Sequence, residues 1–372
     1  MTRPVVLTGG GTGGHVFPMR AIAEALLDAG LSEDELRFVG SRRGQEAAIL
    51  GAGPIALTLL PGRGIRRSWA PRALRDNLVA LGALLAALVQ AIVGVGRWRP
   101  RAVVSVGGYA AAAVGAAAVL WRRPLVLVDL DATPSVTHRI LAPFATVRCV
   151  AWGPGGPRTV VTGAPVRREI SALDRSPEER QRAKARLSPP IDVARRVVVV
   201  MSGSLGSSRV NDAAVELAGR WSERADLALI HVTGRRDYDA VHARRPDVRD
   251  LDYRIIDFAD MALWWAVADL AICRAGAITI AELTESSLPA VLVPLPGAPG
   301  DHQGHNARAL ARAGAARVVV DDACTGEALA RAAEELLAPD EWERTARAAS
   351  LMAHPGAAGA IAGVVVSVGR GS

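Results

Sequence analysis

Residues 271–307 bring together groups that suit a bound nucleotide and a sugar. An apolar strand leads into a small-residue turn at residues 274–277, and the helix that follows carries Glu282. Such a turn at a helix N-terminus binds anions, because its backbone N–H groups point at the ligand. A carboxylate one turn further along can hold a ribose diol, and Gln303 and its neighbouring histidines can hydrogen-bond sugar hydroxyls. The constellation favours a nucleotide-sugar pocket, although Glu282 alone would also fit an ordinary solvated helix.

A second candidate site is the glycine-rich loop at residues 9–14, which follows the first apolar strand and precedes His15. Glycines let backbone N–H groups approach diphosphate oxygens closely, so this loop can cradle a diphosphate. An imidazole near a helix N-terminus tends to stay neutral and can accept a proton. His15 is therefore a candidate general base, and a helix-capping or packing histidine is the alternative.

The same loop also matches a dinucleotide-binding pattern. Gly9, Gly11 and Gly14 fit G-x-G-x-x-G, which is weak support when it occurs once. The acidic residue expected at the end of the second strand is missing, and Arg42 and Arg43 stand there instead. An NADP-dependent reductase stays open as an alternative, whereas an NAD enzyme is disfavoured.

Other polar residues follow strands of the first half. Asp129 and Asp131 come directly after an apolar run, where we expect both carboxylates to face a ligand. Arg167 lies near the expected domain junction, where it can meet a phosphate or a base carbonyl, or be a plain surface arginine. His302 and His305 follow Asp301 without a further ligand at a recognised spacing, so we expect no zinc site.

Composition narrows the class of protein. The 372 residues suggest two domains, and three widely spaced cysteines without metal or redox spacing favour a reducing cytoplasm. Glycines interrupt the N-terminus too early for a signal-peptide core. The net charge is +7, but the basic residues are mostly scattered and aromatic residues are few. We therefore expect no nucleic-acid partner.

One segment has clustered basic residues. The uncharged stretch at residues 77–96 is long enough to span a bilayer, and arginines flank it on both sides, at positions 63, 66, 67, 72, 75, 97, 99 and 101. Its small residues and the strand-like run after it argue against a true span. A helix buried against a parallel sheet and a helix that contacts an anionic membrane surface both fit. We expect peripheral membrane contact.

Apolar runs alternate with helical patterns along the chain, which predicts parallel sheets with crossover helices. The predicted strands span residues 5–8, 37–39, 55–59, 103–106, 125–128 and 147–151, then 196–201, 228–232, 254–256, 270–273, 290–293 and 317–319. Residues 171–195 are charged and carry no strand signal, so a linker is expected there. Each half opens with a strand and a small-residue loop, which predicts two Rossmann-like α/β domains facing across a cleft. We expect domains at residues 1–166 and 167–352, with the tail at 353–372 packing back on the first.

The order and spacing of these motifs resemble the MurG family of N-acetylglucosaminyltransferases over nearly the whole chain. The motifs lie at residues 9–18, 107–109, 163–167, 273–282, 288–290 and 302–307. The resemblance implies a GT-B fold and an inverting transfer that needs no metal or other cofactor. The donor would be UDP-N-acetylglucosamine, and the acceptor hydroxyl C4 of a lipid-linked muramyl-pentapeptide, as in conversion of lipid I to lipid II for peptidoglycan. The protein would be peripheral, on the cytoplasmic face of the cell membrane.

The resemblance also implies roles for single residues. His15, Asp129 and Asp131 are the candidates for catalysis. The residues expected to bind substrate are Thr12, Gly13, Gly14, Asp131, Arg167, Ser204, Ala259, Ala277, Ile278, Thr279, Ile280, Ala281, Glu282 and Gln303. The chain departs from the family at residues 128–131, where the usual His-Glu-x-Asn reads Val-Asp-Leu-Asp. A diverged paralogue with another sugar or acceptor, and a non-catalytic nucleotide-sugar-binding protein at the membrane, are the alternatives.

Overall fold

A computed structural model describes residues 3–62, 71–203 and 206–371. The chain forms two compact units. The first comprises Met1–Arg167 together with Gly356–Ser372, and the second comprises Arg168–Pro355. Of the arginines expected to flank the apolar stretch, those at positions 63, 66 and 67 lie outside the described residues.

The first unit is a seven-stranded parallel sheet with helices between successive strands. Its strands are β1 (Val5–Thr8), β2 (Leu36–Ser41), β3 (Ala56–Leu60), β4 (Ala102–Ser105), β5 (Leu125–Asp129), β6 (Val147–Val150) and β7 (Thr159–Val161). Its helices, apart from one at the end of the chain, are α1 (Gly13–Asp28), α2 (Glu46–Leu50), α3 (Pro71–Trp98), α4 (Tyr109–Leu120) and α5 (Val136–Leu141). The strand order is β3-β2-β1-β4-β5-β6-β7, with every pair parallel.

The second unit repeats this topology with six strands. They are β8 (Arg196–Met201), β9 (Leu227–Val232), β10 (Asp252–Ile256), β11 (Leu270–Cys273), β12 (Ala290–Leu292) and β13 (Ala316–Val318), in the order β10-β9-β8-β11-β12-β13. All neighbouring pairs are parallel. Its helices are α6 (Arg168–Ser171), α7 (Pro177–Arg186), α8 (Ser208–Arg220), α9 (Tyr238–His242), α10 (Met261–Val267), α11 (Ala277–Glu285), α12 (His302–Arg312), α13 (Gly326–Leu337) and α14 (Pro339–Leu351).

The last helix of the chain, α15 (Ala357–Arg370), belongs to the first unit, where it contacts α1 and β4. The central strands of both units are buried on both faces, as parallel strands covered by helices must be. That burial explains why they read as continuous runs of valine, leucine and isoleucine. Both strand orders are those of a Rossmann fold, so the prediction of two Rossmann-like α/β domains is confirmed.

Two local predictions differ from the structure. The edge strand β7 was not predicted, because its three residues are half-buried or exposed and carry no continuous apolar signal. Helix α1 begins at Gly13, within the predicted loop at residues 9–14, so Gly13 and Gly14 belong to its first turn. His15 therefore lies inside the helix, in its first turn.

Helix α3 presents two different faces. The side chains of Ala87, Ala91 and Val95 are buried against the first unit's core, and Ala80 is buried as well. Leu81, Leu85, Val89 and Val93, spaced four residues apart, are between 49% and 62% exposed. The part of α3 at Ala80–Trp98 is long and apolar enough to cross a membrane by length and composition, and 22% of its apolar window is buried. The predicted burial against the core is therefore correct for one face only.

Candidate active site

In the first unit, two glycine loops meet where the strand order reverses between β1 and β4. Ligands of doubly wound sheets bind outside the carboxyl ends of the strands at this point. Gly108 has φ +88°, and a Cβ built on it would lie 2.4 Å from the carbonyl oxygen of Gly10. The loop after β4 therefore packs directly on the loop after β1, and only glycine permits that approach.

His15 is the third residue of α1, whose N-cap is Thr12. Its backbone N–H donates to the carbonyl oxygen of Thr12 at 3.0 Å, and its Nδ1 lies 3.5 Å from Thr12 Oγ1. The first turn of α1 carries no acidic residue. His15 is half-buried and lies at the helix end that carries partial positive charge.

Glu46, which was not predicted as a site residue, is hydrogen-bonded to the backbone of this glycine loop. It is fully buried, and its Oε1 accepts hydrogen bonds from the backbone N–H groups of Gly11, at 3.0 Å, and Ser41, at 2.8 Å. The Gly11 amide is thus committed to the protein. The N–H groups of Thr12, Gly13 and Gly14, which lead into the helix, can donate to a ligand oxygen.

Asp129, expected as an open carboxylate, is instead buried at the end of β5. Its Oδ1 lies 2.7 Å from Nδ1 of His138, and its Oδ2 accepts from Arg148 Nη2 at 2.7 Å. Burial raises the pKa of this carboxyl, but the hydrogen bonds and charges of His138 and Arg148 outweigh it and lower the pKa overall. The Nε2 atom of His138 lies 2.9 Å from Ser105 Oγ, which is also buried. Both oxygens of Asp129 are therefore occupied.

Asp131 and Arg167, also predicted for this site, are both half-buried. Asp131 lies two residues beyond β5. Arg167, which was assigned to the second domain, belongs to the first unit. Its guanidinium carbon lies 4.7 Å from the ring centre of Phe17 on α1, within the range of a cation–π contact. Arg167 is thereby held beside the first turn of α1.

In the second unit, the strand order reverses between β8 and β11. The loop after β8 precedes α8, and the turn after β11 precedes α11, so two helix N-termini border this point. Arg274 fixes the turn: it donates to Asp321 Oδ1 and Ser207 Oγ, both at 2.6 Å. Asn306 Nδ2 donates to the carbonyl oxygen of Ala275 at 3.2 Å. Both small-residue segments are therefore positioned by side chains of the protein itself.

Helix α11 contains the predicted run from Ala277 to Glu282, including Ile278, Thr279, Ile280 and Ala281. Its first turn has no acidic residue. Glu282 is 5% exposed, and its Oε2 accepts a hydrogen bond from Trp265 Nε1 at 3.0 Å. The solvated-helix alternative for Glu282 is therefore excluded, and its carboxylate is held in a fixed orientation.

The other predicted residues of this unit lie on loops or helix starts. Ala259 is half-buried in the loop between β10 and α10. Gln303 lies in the first turn of α12, and its Oε1 accepts from the Leu295 N–H at 3.0 Å, which orients the carboxamide. Ser204 lies outside the described residues.

A buried polar chain runs behind the loop after β8. His231 Nδ1 lies 2.9 Å from Tyr253 Oη, and its Nε2 lies 3.0 Å from Asn211 Oδ1. Asn211 Nδ2 donates to Asp237 Oδ2 at 3.0 Å. Burial, with a smaller contribution from the charge of Arg244, lowers the pKa of His231 to about 3. This neutral histidine therefore bridges core groups rather than titrating near neutral pH.

Asp301, His302 and His305 are the residues considered for a metal site, and both histidines lie at the start of α12. Asp301 Oδ2 pairs with Arg308 Nη2 at 2.8 Å, and His305 Nδ1 lies 3.3 Å from the same arginine nitrogen. Within the described parts of the chain, no group of three or more His, Cys, Asp or Glu side chains is placed to hold a metal ion.

Comparisons with known families and structures agree with this geometry. Residues 5–149 match the glycosyltransferase family 28 N-terminal domain, and residues 197–360 match the glycosyltransferase family 28 C-terminal domain. The crystal structure of MurG from Acinetobacter baumannii is similar, with a TM-score of 0.75 and 27% identity over 98% of this chain and 99% of that chain. The GT-B fold class is therefore confirmed.

Curated relatives cover the full length. One from Alkalilimnicola ehrlichii is 38% identical over 377 residues, covering 100% of both chains. One from Symbiobacterium thermophilum is 37% identical over 99% of this chain and 96% of its own length. Both are named UDP-N-acetylglucosamine–N-acetylmuramyl-(pentapeptide) pyrophosphoryl-undecaprenol N-acetylglucosamine transferase. The chain belongs to glycosyltransferase family 28, within its MurG branch.

Proposed function

We propose that this protein transfers N-acetylglucosamine from UDP-N-acetylglucosamine to the C4 hydroxyl of undecaprenyl-diphospho-N-acetylmuramoyl-pentapeptide. This is the conversion of lipid I to lipid II in peptidoglycan synthesis. The observation that carries the proposal is the full-length identity of 38% to a relative named for that transfer. A diverged paralogue with another donor or acceptor is not favoured, because the relatives reported above share one name.

The donor binds in the second unit, Arg168–Pro355. The N-terminus of α11 receives the diphosphate, because its N–H groups and helix dipole favour negative charge. Glu282, oriented by Trp265, accepts from the ribose hydroxyls. Ala259 offers backbone to the uracil, and Ser204 completes the nucleotide side, whereas Arg167 belongs to the first unit. Gln303 donates through its carboxamide nitrogen to the sugar hydroxyls, since its oxygen is engaged with Leu295.

The acceptor binds in the first unit, which comprises Met1–Arg167 and Gly356–Ser372. Thr12, Gly13 and Gly14 present the first backbone amides of α1 to the acceptor diphosphate or sugar. Asp131, partly exposed beyond β5, accepts from a substrate hydroxyl. Asp129 is assigned a supporting role, because both of its oxygens are already bonded within the protein.

His15 is the general base in this mechanism. It takes the proton of the C4 hydroxyl as that oxygen attacks the anomeric carbon of the donor. The bond from this carbon to the β-phosphate oxygen breaks, UDP leaves with the electron pair, and the configuration at the anomeric carbon inverts. The helix N-terminus at α11 stabilises the charge that develops on the leaving diphosphate.

The exposed apolar stripe of α3 serves as the membrane contact. Leu81, Leu85, Val89 and Val93 offer a continuous apolar surface, and Arg97 next to them is exposed. Apolar side chains with neighbouring cations favour the surface of an anionic bilayer. We propose on this basis a peripheral protein at the cytoplasmic face of the membrane, where a lipid-linked acceptor is accessible.

Thermal unfolding with different nucleotides tests the donor assignment. UDP-N-acetylglucosamine should raise the melting temperature more than TDP- or GDP-sugars do, because only ligands of the native state stabilise it. Protection by NADP(H) and not by UDP would favour the reductase alternative. Protection by the UDP-sugar without product from a lipid I analogue would favour a non-catalytic binding protein.

A further inference from the structure

The buried Ser105–His138–Asp129 chain in the first unit is not used by the proposed mechanism. It has the atom order of a nucleophilic triad, with hydroxyl, imidazole and carboxylate in sequence. Ser105 is 0% exposed and ends a central strand, so its hydroxyl cannot reach a substrate. A role of these three residues in nucleophilic hydrolysis is therefore excluded, and their arrangement must serve another purpose.

Both nitrogens of His138 are fixed. A carboxylate can only accept, so Nδ1 carries the proton and donates to Asp129, while Nε2 faces the hydroxyl of Ser105. Arg148 holds the second oxygen of Asp129, and Ser135 Oγ accepts from the backbone N–H of His138 at 3.2 Å. The ring of His138 is 2% exposed and has no freedom to rotate without breaking these bonds.

This fixed ring and the candidate base both lie close to Gly107. A Cβ built on Gly107 would lie 3.4 Å from both Cδ2 and Nε2 of His15, and 4.0 Å from Cε1 of His138. The two imidazoles therefore border the same small volume at the turn after β4. Gly107 adopts its φ of +96° without strain, and Ser105, to which His138 is bonded, lies two residues before it.

We propose that His138 is a positioning residue, which holds the turn at Gly107 and thereby sets the orientation of His15. The inference rests on the proposed role of His15 as base. Catalytic rates fall by up to about 100-fold when a reacting group is misplaced by about 1 Å, so loosening this turn should slow the chemical step. Substrate binding in the second domain should not change.

The test uses three variants of the full chain. His138→Phe removes both hydrogen bonds and keeps a ring, His138→Gln keeps an amide that can bond one partner, and Ser105→Ala removes one donor. We expect His138→Phe to lower kcat about 10- to 100-fold with KM for both substrates nearly unchanged. His138→Gln and Ser105→Ala should have smaller effects. Thr345→Val, which removes an equally buried hydroxyl in the second unit, is the control for Ser105→Ala and should leave kcat unchanged.

A double-mutant cycle separates positioning from general destabilisation. If His138 acts through His15, adding His138→Phe to His15→Gln should cause no further loss of kcat. If the fold-losses of kcat in the two single variants multiply in the double variant, the proposal is overturned. The imidazole NMR resonance of His15, assigned by its absence in His15→Gln, should shift in His138→Phe and stay in place in Thr345→Val.

The NMR measurement does not require that the protein be catalytically active. The protein could transfer no sugar and still show a shifted His15 resonance in His138→Phe. That result would contradict the proposed function and support the link between the two histidines. An unchanged resonance together with wild-type kcat in all three variants would overturn the link itself.

Discussion

Trp265 Nε1 donates a hydrogen bond of 3.0 Å to Oε2 of Glu282, from one helix of the second unit to another. The indole is fully buried, and the carboxylate is 5% exposed. A buried carboxylate keeps its orientation only if its oxygens are bonded, and here α10 supplies one of the donors. Through this hydrogen bond, the packing of α10 determines the orientation of Glu282, the carboxylate that we assign to ribose binding.

Trp265→Phe tests that connection. The change removes the donor and should raise KM for UDP-N-acetylglucosamine about 10-fold, because a loosened carboxylate binds the diol less well. It should also cost about 2–4 kcal/mol of unfolding free energy, from the lost hydrogen bond and reduced packing. Steady-state kinetics and urea unfolding measure the two effects.

Trp221→Phe is the matched control, since Trp221 is buried and its Nε1 donates to Glu334 at 2.9 Å, away from α11. It should lower stability and leave KM for the donor unchanged. An equal rise of KM in both variants would mean that the effect comes from lost stability alone.

Glu46→Ala should impair the acceptor side instead. Two backbone amides, those of Gly11 and Ser41, lose their acceptor, which costs about 2–4 kcal/mol of unfolding free energy. The distorted glycine loop should raise KM for the acceptor about 10-fold and leave KM for UDP-N-acetylglucosamine within about twofold. Glu46→Gln keeps an acceptor oxygen and should recover part of the loss. A rise of the donor KM alone would contradict the assignment of this loop to the acceptor.

The sheets could be predicted from the sequence, because strands buried on both faces leave continuous apolar runs. The loops at residues 9–14, 107–108 and 274–276 could also be recognised, since close backbone approach demands glycine or other small residues. These positions follow directly from local sequence, and all three lie at strand ends that border the reversal of strand order.

The supporting side chains could not be predicted in the same way. His138 meets Asp129 and Ser105 only through the folding of three elements, and the chain separates it from Ser105 by 33 residues. Glu46 follows Arg42-Arg43-Gly44-Gln45, a polar segment typical of an exposed turn, yet the structure buries it completely. Contacts between distant residues depend on tertiary packing, and one sequence carries no periodic signal for them.

Unfolding free energy should fall as the pH is lowered from 7 to 5, in part because of His231. Burial lowers its pKa to about 3 in the folded state, against 6.5 for an ordinary histidine. Between these values the unfolded chain binds a proton that the folded chain excludes, so the stability from this group is complete above pH 6.5 and is lost as pH falls. The expected loss at pH 5 is about 2 kcal/mol.

Urea unfolding at several pH values measures this loss, and His231→Gln separates it from the effect of other groups. The variant keeps polar atoms for Tyr253 and Asn211 without a titrating ring. Its unfolding free energy should depend less steeply on pH in this range. The same slope in both proteins would show that His231 is not the group responsible.

Membrane binding should depend on the exposed stripe of α3. Val89→Glu and Val93→Glu replace side chains that are 60% and 62% exposed, so folding should be little affected. Binding to sedimented vesicles of phosphatidylglycerol and phosphatidylcholine should weaken about 10-fold or more. Leu351→Glu, an equally charged change at a side chain that is 81% exposed in the second unit, should bind vesicles as the wild type does. Equal weakening in all three would point to net charge rather than to this stripe.

The central claim is an inverting transfer of N-acetylglucosamine to a lipid-linked muramyl sugar with His15 as base. Its most direct test is the incubation of the wild-type protein and His15→Gln with UDP-N-acetylglucosamine and a lipid I analogue, with the product analysed by NMR. We expect a β-linkage to C4 from the wild type and a kcat about 100- to 10,000-fold lower for His15→Gln. An α-linked product, no product from the wild type, or full activity of His15→Gln would contradict the account.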